Sequence, residues 1–142
     1  MYADILLSTL IKQTRKHSPV FKGLWAPSTW LAEHRTITLG LPRQTGKTTA
    51  LANLAKSKPS LLFGMNAQGA RAQSRDHGVE FHTADLIQRG HSLVLQHPAE
   101  LVLLDEWLGM SPETKADFYD FLSVLYMRRQ LTEDVIIVNV GT

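Results

Sequence analysis

The 142-residue chain contains no cysteine, which excludes disulfide bridges and thiolate metal sites and makes a reducing cytoplasm the expected compartment. Its apolar runs are no longer than a strand, so we expect no segment that crosses a membrane. The chain also lacks a large excess of either charge, because it has 15 basic and 13 acidic residues and a formal net charge of only +2. Such a balance permits a nucleic-acid partner without predicting one.

Internal repeats and low-complexity segments are missing too, which excludes a solenoid or a long disordered tail. With 44% hydrophobic and 20% charged residues, the chain has the composition of a globular protein. Its length is that of one ordinary domain. We therefore expect a single domain over residues 1–142, in which residues 1–35 form a helical approach segment.

The order of apolar patterns predicts helices that alternate with strands. Helices are expected at Tyr2 to His17, just after a Ser28-Thr29 cap, at Thr48 to Lys56, at Asn66 to Arg75 and at Pro112 to Gln130. Strands are expected at Thr36 to Leu41, Ser60 to Met65, near Val79, at Glu100 to Glu106 and at Asp134 to Thr142. Because the strands are nearly continuous apolar runs between helices, the predicted fold is α/β. It has a mostly parallel sheet of about five strands flanked by helices.

A phosphate-binding motif lies between the first predicted strand and the next helix. The general pattern is G-x-x-x-x-G-K-[ST], in which backbone amides cradle phosphates, the lysine reaches the terminal phosphates and the hydroxyl binds magnesium. Gly46, Lys47 and Thr48 fit this pattern, whereas Leu41 occupies the place of the first glycine and Gly40 lies one residue earlier. The strand, turn and helix around the motif favour nucleotide binding over a chance match, with ATP and Mg²⁺ as the expected ligands.

Two acids end the apolar strand ELVLLDE. Carboxyl ends of parallel strands face the ligand crevice of such sheets, so Asp105 and Glu106 are expected near the phosphate loop. Asp105 then completes the magnesium shell through water, and Glu106 orients or deprotonates the attacking water. The alternative for this pair is a solvated strand end.

Residues 41–49, LPRQTGKTT, resemble the variant phosphate loop of the large terminase subunits of tailed bacteriophages, which often lacks the first glycine. Residues 86–106, LIQRGHSLVLQHPAELVLLDE, are similar to the arginine-glycine stretch and acidic strand of those ATPase domains. The closing VIIVNVGT is similar to their coupling motif. The resemblance implies a P-loop NTPase with a RecA- or helicase-like core, whose ATP hydrolysis powers packaging of double-stranded DNA.

The resemblance also implies roles for residues on either side of the phosphate-binding motif. It assigns nucleotide contacts to Gln44, Thr45 and Thr49, beside Lys47 on the β- and γ-phosphates. Arg43 lies within the loop, and a guanidinium there can reach the γ-phosphate as an arginine finger supplied in cis, which the resemblance also implies. The alternative for this arginine is an exposed loop charge.

For other candidate residues, nucleotide contact and a purely structural role are about equally supported. Asn139 and Thr142 can sense the γ-phosphate or simply end a strand, since in this class of ATPase the strand after the acidic one inserts beside the loop strand. Trp25, Pro27 and Trp30 can border the adenine, although packing explains them at least as well.

Four arginines fit a structural role better. Arg71 and Arg75 lie where related helicases contact a nucleic-acid backbone, but a solvated helix face is the commoner explanation. Arg128 and Arg129 can serve a neighbouring subunit, although bases at a helix C-terminus are favoured by the dipole alone. The six histidines form no i, i+4 pair, so no metal site beyond magnesium is expected.

The preferred interpretation is a magnesium-dependent ATPase of a viral packaging motor, acting in the host cytoplasm. Double-stranded DNA, other packaging subunits or a portal-like protein, and copies of the chain in a ring are its expected partners. Large terminases continue into a nuclease domain, whereas this chain stops after the coupling strand, so nuclease activity is not predicted. The alternatives are a helicase-like DNA-dependent ATPase and a nucleotide-binding regulatory or assembly module that does not turn over alone.

Overall fold

The computed structural model describes residues 2–18, 21, 26–42, 46–64, 67–107 and 109–141. Its helices are α1 (Tyr2–His17), α2 (Pro27–His34), α3 (Lys47–Ser57), α4 (Ala67–His77), α5 (Ala84–Arg89) and α6 (Pro112–Met127). Its strands are β1 (Thr36–Gly40), β2 (Ser60–Phe63), β3 (Ala99–Asp105) and β4 (Leu131–Gly141). A short 3-10 helix, Gly90–Ser92, follows α5. No helix in this part of the chain is long and apolar enough to span a membrane.

The strands form one sheet in the order β1-β4-β3-β2, and every neighbouring pair is parallel. The predicted α/β class with a parallel, helix-flanked sheet is therefore confirmed, but the described residues contain four strands instead of about five. The segment expected as a strand near Val79 makes one bridge, in which His82 pairs with Phe63. Among the residues that the structure describes, two backbone hydrogen bonds hold it against β2, from the His82 amide to Leu62 and from the Gly64 amide to His82. That is too few for a strand.

The last strand lies between the first and the third. Within β4, Ile137 pairs with Thr36 of β1 on one side and with Val102 of β3 on the other. The expectation that the strand after the acidic one inserts beside the loop strand is thus confirmed. Because all strands run the same way, the C-terminal ends of β1, β3 and β4 lie side by side at one edge of the sheet.

Helices cover both faces of the sheet. Side chains of β3 alternate, so Val102 and Leu104 pack against one group of helices while Leu101 and Leu103 pack against the other. The first face carries α2, α5 and α6, and the second carries α1, α3 and α4. Asp105, the next odd-numbered position, is therefore directed toward the face that carries α3 and α4.

Two helix ends differ from the sequence prediction. Helix α2 begins one residue before Ser28, with Pro27 at its first turn and Ala26 at the N-cap, and no side chain caps it. Proline suits the first turn because its missing N–H has no helical partner there, so the Ser28-Thr29 cap is wrong. Helix α6 ends at Met127 instead of Gln130, because Arg129 adopts a left-handed backbone with φ 61°.

Candidate functional site

The turn before α3 is built on one glycine. Gly46 is the N-cap of α3 and has φ 78°, a left-handed conformation that glycine adopts without a steric penalty. Helix α3 starts at Lys47, so the first-turn amides and the side chains of Lys47 and Thr48 lie where the loop enters the helix. Arg43, Gln44 and Thr45 lie outside the described residues. The described part of the motif thus has the turn and helix N-terminus that a phosphate loop requires.

The motif hydroxyl is bonded to the acidic strand. Thr48 Oγ1 donates a hydrogen bond to Asp105 Oδ2 at 2.8 Å, across a sequence separation of 57 residues. Asp105 is the last residue of β3, directed toward the face that carries α3. Insertion of β4 between β1 and β3 spaces the loop and the acid, and the helix after the loop closes the gap. The two halves of the predicted site are therefore in direct contact.

Asp105 is almost fully buried, with 1% of its surface exposed. Its Oδ2 accepts a second hydrogen bond, from Gln73 Nε2 at 3.1 Å. Among the described residues, its Oδ1 has no hydrogen-bond donor, although it is buried. Lys47 Nζ lies 4.0 Å from that oxygen, close enough for electrostatic attraction but too far for a hydrogen bond. One oxygen is thus held by the protein, and the other keeps its lone pairs.

Lys47 connects the two acids. Its Nζ lies 2.5 Å from Glu106 Oε1 as well as 4.0 Å from Asp105 Oδ1. These three side chains carry two negative charges and one positive charge, a surplus of one negative charge in a partly buried setting. Such a group attracts a divalent cation, and the neighbouring helix N-terminus attracts an anion. Together they form a candidate site for a metal-bound phosphate.

Glu106 lies just beyond β3 in a strained conformation. Its φ of 67° is in the left-handed region, where non-glycine residues are uncommon, and its amide donates to the Val140 carbonyl of β4 at 2.8 Å. The next residue is anchored as well, because Trp107 Nε1 donates to the buried Gly64 carbonyl at 3.0 Å. These two bonds fix the turn and direct the Glu106 carboxylate toward Lys47, which an extended continuation of the strand would not do.

A pocket of about 280 Å³ opens beside Glu106. It is lined by Ala84, Glu106, Trp107, Gly109, Met110 and Thr114. The side chain of Glu106 is 27% exposed, so solvent reaches its carboxylate while Asp105 stays buried. The two neighbouring acids therefore have different surroundings, because Asp105 is shielded from water and Glu106 is partly open to it.

Other predicted candidates lie elsewhere or have structural contacts. Thr49 is exposed on the first turn of α3. Asn139 is buried, and its Nδ2 lies 3.4 Å from the Trp107 carbonyl, so it borders the Glu106 turn. Trp30 is fully buried against Phe21 and Tyr126, so it is a packing residue and cannot border a base. Trp25 and Thr142 lie outside the described residues.

Three of the four arginines have settings that fit the structural alternative given for them. Arg71 and Arg75 are exposed on α4. Arg128 donates through Nη1 to the carbonyls of His91 and Leu93, which ties the end of α6 to the loop after α5.

Three contacts of the site were not identified from the sequence. Gln73, Gly64 and Trp107 bind Asp105 or hold the turn after it, and none belongs to a recognised motif. A signal for Gln73 was present, because a residue two positions from Arg71 and two from Arg75 lies on the opposite side of a helix from both. That side is the one that packs on the sheet.

A second cavity, of about 420 Å³, lies at the opposite edge of the sheet. Its lining includes Pro98, which precedes β3, and Leu131, which begins β4. It is larger than the pocket beside Glu106 but contains none of the phosphate-motif residues or the acidic pair. Pocket volume alone therefore does not identify the candidate site.

The described residues contain no cluster of three or more histidine, aspartate or glutamate side chains arranged to hold a metal ion. A site that uses one carboxylate and one hydroxyl is of the kind that magnesium occupies with water and phosphate as its remaining ligands. No protein-family model and no curated protein matches this chain. Its function is therefore inferred from the geometry of this edge and from the motif resemblance.

Proposed function

We propose that the protein is a magnesium-dependent ATPase with a P-loop core of the class that carries a catalytic glutamate. The observation that carries the proposal is the 2.8 Å hydrogen bond from Thr48 Oγ1 to Asp105 Oδ2. A chance GKT sequence in a surface turn has no reason to contact the acid that ends a distant buried strand. The position of β4 between the loop strand and the acidic strand supports the same class.

The residues fit magnesium and a triphosphate. Asp105 Oδ1 is buried and keeps its lone pairs, which suits a hydrogen bond from a metal-bound water. Thr48 Oγ1 has lone pairs left for a direct metal contact after it donates to Asp105. The first-turn amides of α3 and the Lys47 ammonium suit the β- and γ-phosphates. When bound, magnesium supplies positive charge that neutralises the phosphate oxygens.

Each side chain then has a separate task. Lys47 exchanges its contact with Glu106 for the phosphates, which releases the carboxylate. Glu106 faces solvent and accepts the proton of the attacking water or orients it. Asp105 is buried, accepts hydrogen bonds from Thr48 and Gln73, and orients magnesium ligands. Arg43 stabilises charge on the γ-phosphate.

The same proposal extends to a motor that moves double-stranded DNA, as in phage packaging. This extension depends on the terminase-like sequence of the loop and acidic strand, since a helicase-like ATPase shares the same site. Copies of the chain in a ring and a portal-like partner belong to this extension. A module that binds ATP without turning over is less well supported, because Lys47 and Glu106 lie within contact distance of each other.

Hydrolysis by the purified chain tests the proposal. We expect Glu106→Gln to lower kcat by about 10²- to 10⁴-fold, the usual contribution of a general base, while ATP binding is retained. Lys47→Ala should weaken ATP binding by about tenfold or more, because it removes charge-assisted contacts to phosphate. Phosphate release in steady state and equilibrium binding of a fluorescent ATP analogue measure the two effects.

Matched controls are available on α6. Glu113→Gln and Lys115→Ala make the same chemical changes at exposed positions and should leave both measurements unchanged. Stimulation of turnover by double-stranded DNA would support the motor extension over a simple ATPase. Failure of the wild-type chain to bind magnesium-ATP would contradict the proposal.

A further inference from the structure

The carboxylate of Asp105 is oriented by two donors on the same oxygen. Thr48 Oγ1 and Gln73 Nε2 both bond to Oδ2, at 2.8 Å and 3.1 Å. A buried carboxylate with one donor can rotate about its Cβ–Cγ bond, whereas two donors from different helices define the plane of the group. The Oδ1 atom is then directed to the Lys47 side of the site, where its lone pairs remain available.

Gln73 is placed for this task by the packing of α4. Its amide reaches Asp105 from the buried side of the helix, while Arg71 and Arg75 lie on the exposed side. Gly64, at the end of β2, leaves the room that this amide occupies. A Cβ at Gly64 would lie 3.0 Å from Gln73 Oε1 and 3.2 Å from Ala70 Cβ.

Gly64 has little freedom to move away. Its amide donates to the His82 carbonyl at 2.8 Å, and its carbonyl accepts from Trp107 Nε1 at 3.0 Å. Gly64 therefore fixes the position of the Gln73 amide, and its carbonyl also anchors the turn after Glu106. A glutamine held this firmly against a buried acid has a defined direction, which a solvent-exposed glutamine does not.

We propose that Gln73 is a positioning residue that orients Asp105 for magnesium-bound nucleotide. This inference rests on the proposed ATPase function and adds to it a residue outside the recognised motifs. Without Gln73, Asp105 keeps only the Thr48 bond and samples other rotations, so its Oδ1 is less often directed at the metal-bound water. Mutation of a residue that hydrogen-bonds to a metal ligand commonly lowers metal affinity by about 10- to 100-fold. We expect a change of about tenfold, because Asp105 itself acts through water.

The test compares nucleotide affinity with and without magnesium in the 142-residue chain. Gln73→Met keeps the length of the side chain and removes its donor. We expect this variant to bind a fluorescent ATP analogue about tenfold more weakly than wild type in the presence of magnesium. Its affinity for the analogue in EDTA should equal that of wild type. The magnesium concentration for half-maximal turnover should rise by a similar factor. A purely structural role for Gln73 would not separate the two affinities.

Two further variants keep the test decisive. Gln68→Met makes the same change at an exposed position of α4 and should behave as wild type. Gly64→Ala pushes on the Gln73 amide from the other side and should reproduce part of the loss of magnesium dependence. Thermal unfolding of each variant identifies any that no longer folds, and the other variant then decides.

The outcomes separate the two proposals. If the wild-type chain binds the analogue more tightly with magnesium, and Gln73→Met and Gly64→Ala match it, the role of Gln73 is wrong and the ATPase proposal stands. If the wild-type chain shows no magnesium-dependent binding, the ATPase proposal fails and the role of Gln73 fails with it. A loss in EDTA equal to the loss in magnesium would also overturn the inference, because the effect would then not involve the metal.

Discussion

At the scale of single residues, Glu106 holds a backbone conformation that its side chain does not favour. Its φ of 67° brings the carboxylate to within 2.5 Å of Lys47 Nζ, while its amide stays bonded to Val140. A left-handed conformation costs a residue with a Cβ about 1–2 kcal/mol relative to glycine. The surroundings compensate for this cost, which is common where a side chain must be aimed at a reacting group.

Comparing two truncations isolates the cost of that backbone. Glu106→Ala and Glu106→Gly both remove the ion pair with Lys47, so they differ only in the residue that occupies φ 67°. We expect the glycine variant to be more stable than the alanine variant by about 1 kcal/mol. Chemical unfolding monitored by tryptophan fluorescence measures the difference. Equal stabilities would show that the turn relaxes and that no strain is held there.

At the scale of elements, the packing of α5 against α6 depends on close approach at one glycine. Gly90 is buried, and a Cβ there would lie 2.9 Å from both Phe121 Cε1 and Leu86 Cδ1. Its φ of −91° is accessible to any residue, so the requirement for glycine is steric. The arginine-glycine stretch singled out by resemblance thus has a packing reason in this fold, since it lets α5 lie against α6.

A methyl group at this position should strain the contact. We expect Gly90→Ala to lower the free energy of unfolding by about 1–3 kcal/mol, the usual cost of overpacking a closely packed contact. The matched control is Gly109→Ala, where a Cβ would meet no atom within 4 Å. Urea unfolding of both variants gives the comparison. Similar stabilities for the two would mean that α5 moves freely and that the contact is not specific.

At the scale of the whole molecule, the stability of the sheet edge is linked to pH through His82. Its backbone bridges β2, its ring lies 5.9 Å from the Phe63 ring, and Glu80 is 3.7 Å from its Nε2. Burial lowers the pKa of His82 below its ordinary 6.5, and the charge of Glu80 opposes this shift. Asp85 and Arg89 line the same groove.

The sign of the pH effect follows from the direction of the shift. A lowered pKa in the folded state means that the unfolded chain takes up a proton first as the pH falls below 6.5. The neutral imidazole of His82 therefore adds to stability at neutral pH, and this contribution is lost toward acid pH. We expect His82→Gln to lose less stability than wild type between about pH 7.5 and pH 5.5.

Thermal unfolding at both ends of this range measures the difference. His97→Gln, a change at an exposed histidine, should follow the wild-type pH dependence. A His82→Gln profile parallel to that of the wild-type chain would contradict the assignment.

The local pattern of residues was enough to predict most elements and the two halves of the site. The helix at Tyr2 to His17 and the strands β3 and β4 have strong periodicity or long apolar runs. Strand β4 nevertheless begins at Leu131, three residues before the expected start at Asp134. The segment near Val79 was overestimated as a strand, because two β-favouring residues, Val79 and Phe81, do not reveal whether a strand of the sheet is free to pair with them. Helix α5 was not predicted, since a six-residue helix has too few turns to produce a clear period.

The sequence by itself determined the alternation of strands and helices, a turn that opens a helix at Gly46, and the identities of Lys47, Thr48, Asp105 and Glu106 as the chemical groups of one candidate site. These features follow from residue type and local spacing. Only the tertiary structure decided the complete strand order, the bond from Thr48 to Asp105, and the role of Gln73. Those depend on contacts between segments far apart in the chain, and such contacts form only when both faces of the sheet are packed.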